Sequence, residues 1–262
     1  MFHKNFVKRV QSGLSRCGIG ITSASILADL RNSHTSWQNV AVVANARPEI
    51  APDLLRLLDR SRSQLRQDLF VLSQLDMKRG GYFVEFGAAD GETLSNTHLL
   101  EKEFGWNGVL AEPAQSFHNH LKKTRTCDID TRLIWETSGV TVSFAENREL
   151  LRSAMESPVR TSKKRSRHLQ RRYTVETVSL LDLLRQHGSP SHIDYLSIDV
   201  EGAEFQILQR FDFSEYEFGL ISVEHAYRKD RAEILDLLSA HGYQRVFEHI
   251  SWWDDWYLGP NL

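Results

Sequence analysis

The chain has 262 residues, of which 41% are hydrophobic and 25% charged, with a formal net charge of -2. That length builds one large α/β domain with a sizeable core, and the balanced charge gives no global field for nucleic acid. Two cysteines make no disulfide framework and suit the cytoplasm, and no run reaches the roughly 18–20 apolar residues of a membrane span, so no integral membrane association is expected.

Residues 1–63 read as a helical extension. Phe2, Phe6, Val10 and Leu14 share one face of an amphipathic helix. The stretch Gly18–Ala28 (GIGITSASILA) follows Lys4, Lys8, Arg9 and Arg16 in the manner of a signal peptide, but it is short, hydroxyl-rich and lacks a small-residue cleavage site. A helix from Pro52 to Arg62 presents Leu54, Leu55, Leu57 and Leu58, and another runs from Gln64 to Met77 before Lys78-Arg79-Gly80-Gly81 ends it.

From residue 64 onward strands and helices alternate. Strands are expected at 82–87, 108–112, 132–135, 140–144, 173–178, 192–200 and 219–224, with helices at 93–103, 114–123, 180–187, 202–210 and 230–241. This order predicts a mostly parallel sheet with helices on both faces. Two closing strands, 243–249 and 256–258, have no expected helix between them and predict an antiparallel hairpin at one edge. A basic insertion, about 146–172, breaks the rhythm; its Arg160–Arg172 part (RTSKKRSRHLQRR) is either a solvated segment or a lid over an anionic substrate.

The stretch Tyr82–Gly91 (YFVEFGAADG) carries the first functional signal. Glu85 ends a buried strand, Gly87 and Gly91 let the backbone turn tightly toward a ligand, and Ala88 and Ala89 keep the surface low. The second and third glycines of a dinucleotide fingerprint are missing, and Asp90 would repel a phosphate. A ligand with a cationic end fits better, and S-adenosyl-L-methionine carries a sulfonium and an ammonium. Glu112, before Pro113, ends the next strand, where a carboxylate accepts ribose hydroxyls. The plainer alternative has Glu85 capping a helix and Glu112 solvated.

The third acidic group is DVEGAE at the end of the central strand, with Asp199 and Glu201 beside the methyl donor. Glu224 and His225 end the following strand. His225, oriented by Glu224, is the first candidate for the general base, and Asp199 the second, with gripping the donor's ammonium or polarising the acceptor as its other roles. Glu201 binds substrate or caps the next helix. Asn96 contacts the donor or substrate, or caps its helix. Asp199, Glu201, Glu224 and His225 could gather Mg²⁺, but the spacing is not diagnostic, and His118 and His120 lie two apart on a helix, on different faces; no metal is expected. Trp252, Trp253 and Trp256 could stack on a sugar or fill core.

The strings QDLFVL, GGYFVEFGAADGETLSNTHLLEKEFGWNGVLAEP, YLSIDVEGAEFQIL and LISVEH, in this order, resemble the FkbM-type family of S-adenosylmethionine-dependent methyltransferases from about Gln64 to Tyr257. The resemblance implies a Rossmann-like class I methyltransferase fold with a seven-stranded sheet. It also implies O-methylation of a hydroxyl on a small-molecule acceptor, a sugar or glycan-linked compound, a natural product or another small metabolite. By the same likeness Glu85, Gly87, Asp90 and Gly91 form the donor loop, Glu112 holds the ribose, and Asp199 and Glu201 sit at the catalytic edge. Gln67 and Asp68 match a family block and suggest a lid over the donor. Ala89 departs from the asparagine common at that position. A nicotinamide-dependent oxidoreductase and a non-catalytic scaffold that keeps the fold are the competing readings.

Overall fold

A computed structural model describes residues 37–147, 153–155, 170–200 and 202–262. The expected helix over Phe2–Leu14, the Gly18–Ala28 stretch, most of the basic segment and Glu201 lie outside the described residues.

Residues 37–44 are helical. The elements that follow are α1 (Ala51–Leu57), α2 (Gln67–Gln74), β1 (Tyr82–Phe86), α3 (His98–Phe104), β2 (Asn107–Ala111), α4 (His118–Thr124), β3 (Asp128–Asp130), β4 (Leu133–Ile134), β5 (Thr141–Asn147) and β6 (Ser153–Met155). After these come β7 (Gln170–Val178), α5 (Leu180–Gln186), β8 (His192–Ile198), α6 (Glu204–Gln209), β9 (Glu217–Glu224), α7 (Arg231–Ala240), β10 (Gln244–Val246), α8 (Glu248–Ser251) and β11 (Asp254–Leu258).

Seven strands form the main sheet in the order β10-β11-β9-β8-β1-β2-β3. Among its pairings only those of β11 are antiparallel, because β11 inserts between β9 and β10. This is the Rossmann-like methyltransferase arrangement. Near-continuous apolar strands are what a sheet covered on both faces requires. Phe83, Leu110, Tyr195 and Trp256 face α1, α2 and α3, while Val84, Val109, Leu196 and Ile221 face α5, α6 and α7.

Four departures from the expected elements have local causes. The strand expected at 243–249 stops at Val246, where Phe247 takes a left-handed φ of 56° and α8 intervenes. The helix expected from Thr93 begins at His98, because amides of residues 92, 93 and 96 are bound by carboxylates instead. β3 has three residues, too few for an alternation to show. A second sheet, in the order β4-β7-β5-β6, stands beside the carboxyl ends of the first and was not foreseen as a unit.

Candidate functional site

The strand order reverses at β1, whose neighbours are β2 and β8. Ligands of open α/β sheets sit outside the carboxyl ends at such a point. A cleft opens there, lined by Gly87, Ala89, Glu112, Pro113, Asp199 and the apolar side chains of Phe86, Phe117, Ile134 and Phe144.

The glycine turn proves to be packed against the protein's own backbone. A Cβ on Gly87, at φ +74°, would stand 1.8 Å from the Asp199 carbonyl oxygen, so only glycine lets β1 and β8 meet at their ends. A Cβ on Gly91 would meet Leu121 at 2.6 Å and Arg125 at 3.0 Å. Ala88 is buried. Ala89 holds a left-handed φ of 47° and turns its amide onto Glu112. The Asp90 carboxylate accepts the Glu92 and Thr93 amides at 2.9 and 2.7 Å. Partial burial opposes its ionisation, but those bonds hold it below the usual carboxylate range.

Glu85 is buried and spends its oxygens on its own chain. It accepts the Asn96 amide at 2.8 Å and the Ser95 and Thr97 hydroxyls at 3.1 and 2.5 Å. It therefore shapes the loop that follows the turn, as in the plainer sequence reading. The residue missed was Arg125, whose buried guanidinium donates to Glu101 at 2.6 Å, to the Gly91 carbonyl at 3.0 Å and to Thr97 at 2.8 Å, 3.8 Å from Glu85. Burial works against the Glu101 charge, yet Arg125 outweighs it and its pKa falls to about 2. No motif marks Arg125, which stands in an ordinary basic stretch.

Glu112 sits at the cleft wall with only 5% of its surface exposed. Its oxygens accept the Ala89 and Ala114 amides at 2.8 and 2.7 Å, which fixes the carboxylate in orientation and leaves further lone pairs on each oxygen. Burial raises its pKa to about 7 against those two bonds. Pro113 lines the cleft beside it.

Just past the end of β8 Asp199 is exposed and lines the cleft. His225 does not join it, which corrects the first choice of general base. The side chain is 1% exposed, its Nδ1 accepts the Tyr227 amide at 2.9 Å, and its Nε2 lies 3.7 Å from Asp255, an acid already paired with Arg231. Burial lowers its pKa to about 4. Asn96 bridges loop and sheet by donating to Ser197 at 2.9 Å.

Gln67 and Asp68 are buried supports, not a surface lid. Gln67 donates to Asp254 at 2.7 Å, and Asp68 accepts Ser61 at 2.6 Å. Trp256 stacks on Phe70 in the core at 4.6 Å. His118 Nε2 is bound to the Glu112 carbonyl at 2.8 Å. Among the described residues no group of three or more His, Cys, Asp or Glu is arranged to hold a metal ion, and no helix is long and apolar enough to cross a membrane.

The sequence matches the model of the methyltransferase FkbM domain over residues 85–245. The chain belongs to that family. Its domain is a methyltransferase domain, and the matched span begins at Glu85 and takes in Glu112, Asp199 and His225. No curated protein matches. A solved structure titled "Human methyltransferase 10 domain containing protein" is similar over 84% of this chain and 95% of its own, at 14% identity and a TM-score of 0.41.

Proposed function

We propose that the protein is an S-adenosyl-L-methionine-dependent O-methyltransferase acting in the cytoplasm on a hydroxyl of a sugar, a glycan-linked compound or another small metabolite. One observation carries the reading: Glu112, an oriented and buried carboxylate, shares a cleft with the Gly87–Ala89 turn and the exposed Asp199. The residues fit the donor. Glu112 has lone pairs left for two ribose hydroxyls, and Phe86, Phe117 and Ile134 offer apolar wall to a purine.

When bound, the donor supplies a methyl group made electrophilic by positive sulfur. The chain's part is orientation, exclusion of water and removal of one proton. Glu112 and the turn fix the donor's position, and alignment of this kind provides much of a displacement's rate. Asp199 takes the acceptor hydroxyl's proton; a positioned base contributes roughly 10²–10⁴-fold. His225, bonded through Nδ1 and buried, supports the β9 end instead.

Calorimetry with S-adenosylmethionine on the full chain tests this, with NAD titrated in parallel. The expected result is saturable donor binding, weakened at least about tenfold in Glu112→Ala, a loss of about 1.4 kcal/mol or more. Binding of NAD in its place, or a folded protein that binds neither, would overturn the reading.

A further inference from the structure

The second sheet lines the cleft with Ile134 and Phe144 and grips the turn after β2 through one phenol. Tyr173, on β7, accepts the Gln115 amide at 2.9 Å, and its hydroxyl donates to Glu146 on β5 at 2.6 Å, with the Pro113 carbonyl at 3.3 Å. Pro113 and Gln115 belong to the turn that carries Glu112 out of β2. Beneath the phenol Phe144, Val175, Ala114 and Leu133 form a separate small core. Glu146 is 1% exposed. Burial opposes its charge, but Ser116, Tyr173 and Arg171 outweigh burial and keep it ionised. The phenol thus links the Glu146 carboxylate to the same turn whose Ala114 amide holds Glu112.

We propose that Tyr173 and Glu146 are positioning residues for Glu112: the phenol fixes the Pro113–Gln115 backbone, and the Glu146 charge acts electrostatically on the Glu112 carboxylate. The inference rests on the donor reading only in its consequence for binding, since the geometry belongs to the protein alone. Glu112 is faced by Glu146 from β5, by Tyr173 from β7 with Arg171 5.5 Å over its ring, by His118 from α4 and by Asp199 from the end of β8 across the cleft. Of the charged groups among these, Glu146 raises the Glu112 proton affinity, adding to burial. A carboxylate accepts ribose hydroxyls in its ionised form, so donor binding weakens as pH falls through about 7. Glu146 thereby sets where that loss begins.

The test is a carboxyl-carbon NMR titration of Glu112 in full-length apo protein, wild type against Glu146→Gln. Removing the like charge moves the midpoint to lower pH, by about half a unit or more. In parallel, Tyr173→Phe, which removes the hydroxyl's bonds to Gln115 and Glu146, is expected to keep the fold by circular dichroism and to weaken S-adenosylmethionine binding several-fold at every pH. A merely structural role would lower the melting temperature of both variants and leave the Glu112 midpoint in place. An unmoved midpoint in Glu146→Gln overturns the electrostatic part, and unchanged donor affinity in Tyr173→Phe overturns the positional part. Wild-type protein that shows the shifted midpoint but binds no donor would instead refute the donor assignment.

Discussion

The two halves of the cleft are built differently. On the donor half, Glu85, Asp90 and Glu112 each accept two or three bonds from the loops around them, and Arg125 ties the 91–97 loop to α3. On the acceptor half Asp199 is exposed, and the turn after β9 carries two successive left-handed residues, Ala226 at φ 43° and Tyr227 at φ 55°. Tyr227 is 54% exposed. Arg228 ties that turn to α6, 2.7 Å from Glu204, and donates to the Glu224 carbonyl at 3.1 Å. On the proposed reading, a donor side fixed by these bonds faces a rim whose backbone is strained at Ala226 and Tyr227.

The sharpest way to break this contrast is to remove the arginine from each half. Arg125→Leu removes the buried guanidinium from Glu85 and from Glu101, which keeps Lys102, an expected loss of about 3–5 kcal/mol, read by urea denaturation. The double variant with Glu101→Leu recovers part of it. Arg228→Ala leaves the buried Glu204 with the Val200 and Gly202 amides as its remaining partners, so the expected loss is smaller, about 1–3 kcal/mol. Equal losses would erase the distinction between the halves.

Gly87→Ala tests the joint between them. The new methyl would collide with the Asp199 carbonyl and occupy a left-handed φ, so a destabilisation of about 2–3 kcal/mol with weakened donor binding is expected. Unchanged melting temperature and affinity would mean that the β1 and β8 ends part without cost.

Asp254, buried next to Glu224 in the β9–β11 register, sharpens the comparison through pH. Burial raises its pKa to about 7 despite the Gln67 bond. The folded state therefore holds this proton more tightly than the unfolded chain does. Stability from this group is full below the unfolded value of about 4 and is lost as pH rises through about 7. Asp254→Asn should gain at pH 8 and change little at pH 4; urea midpoints at the two pH values decide. The smallest effect belongs to Ala89→Gly, which relieves the left-handed φ and should stabilise by about 0.4–1 kcal/mol with donor affinity unchanged.

Much of this was legible in the sequence because strand-end residues announce themselves. Gly87, Glu112 and Asp199 stand where apolar runs stop, and an apolar run fixes a strand end to within a residue or two. The β1-to-β2 and β8-to-β9 alternation likewise gave the parallel sheet. What stayed hidden depends on contacts between distant segments. Arg125 is 24 residues from the Glu101 it pairs with, and Tyr173 is 58 from the Gln115 amide. His225 was misjudged because a strand end near a cleft does not say which face a side chain takes. His225 follows the last paired residue of β9, and its buried ring turns toward Asp255, 3.7 Å away. Gly87 was recognised as a point of close approach, but the approaching group is the protein's own Asp199 carbonyl.

The most direct test of the central claim is a crystal structure with S-adenosylhomocysteine bound. The account predicts both ribose hydroxyls within about 2.6–3.2 Å of the Glu112 carboxylate, the sulfur turned toward Asp199, and the 87–97 loop in its present position. A ligand whose ribose makes no contact with Glu112, or one seated outside this cleft, would contradict it.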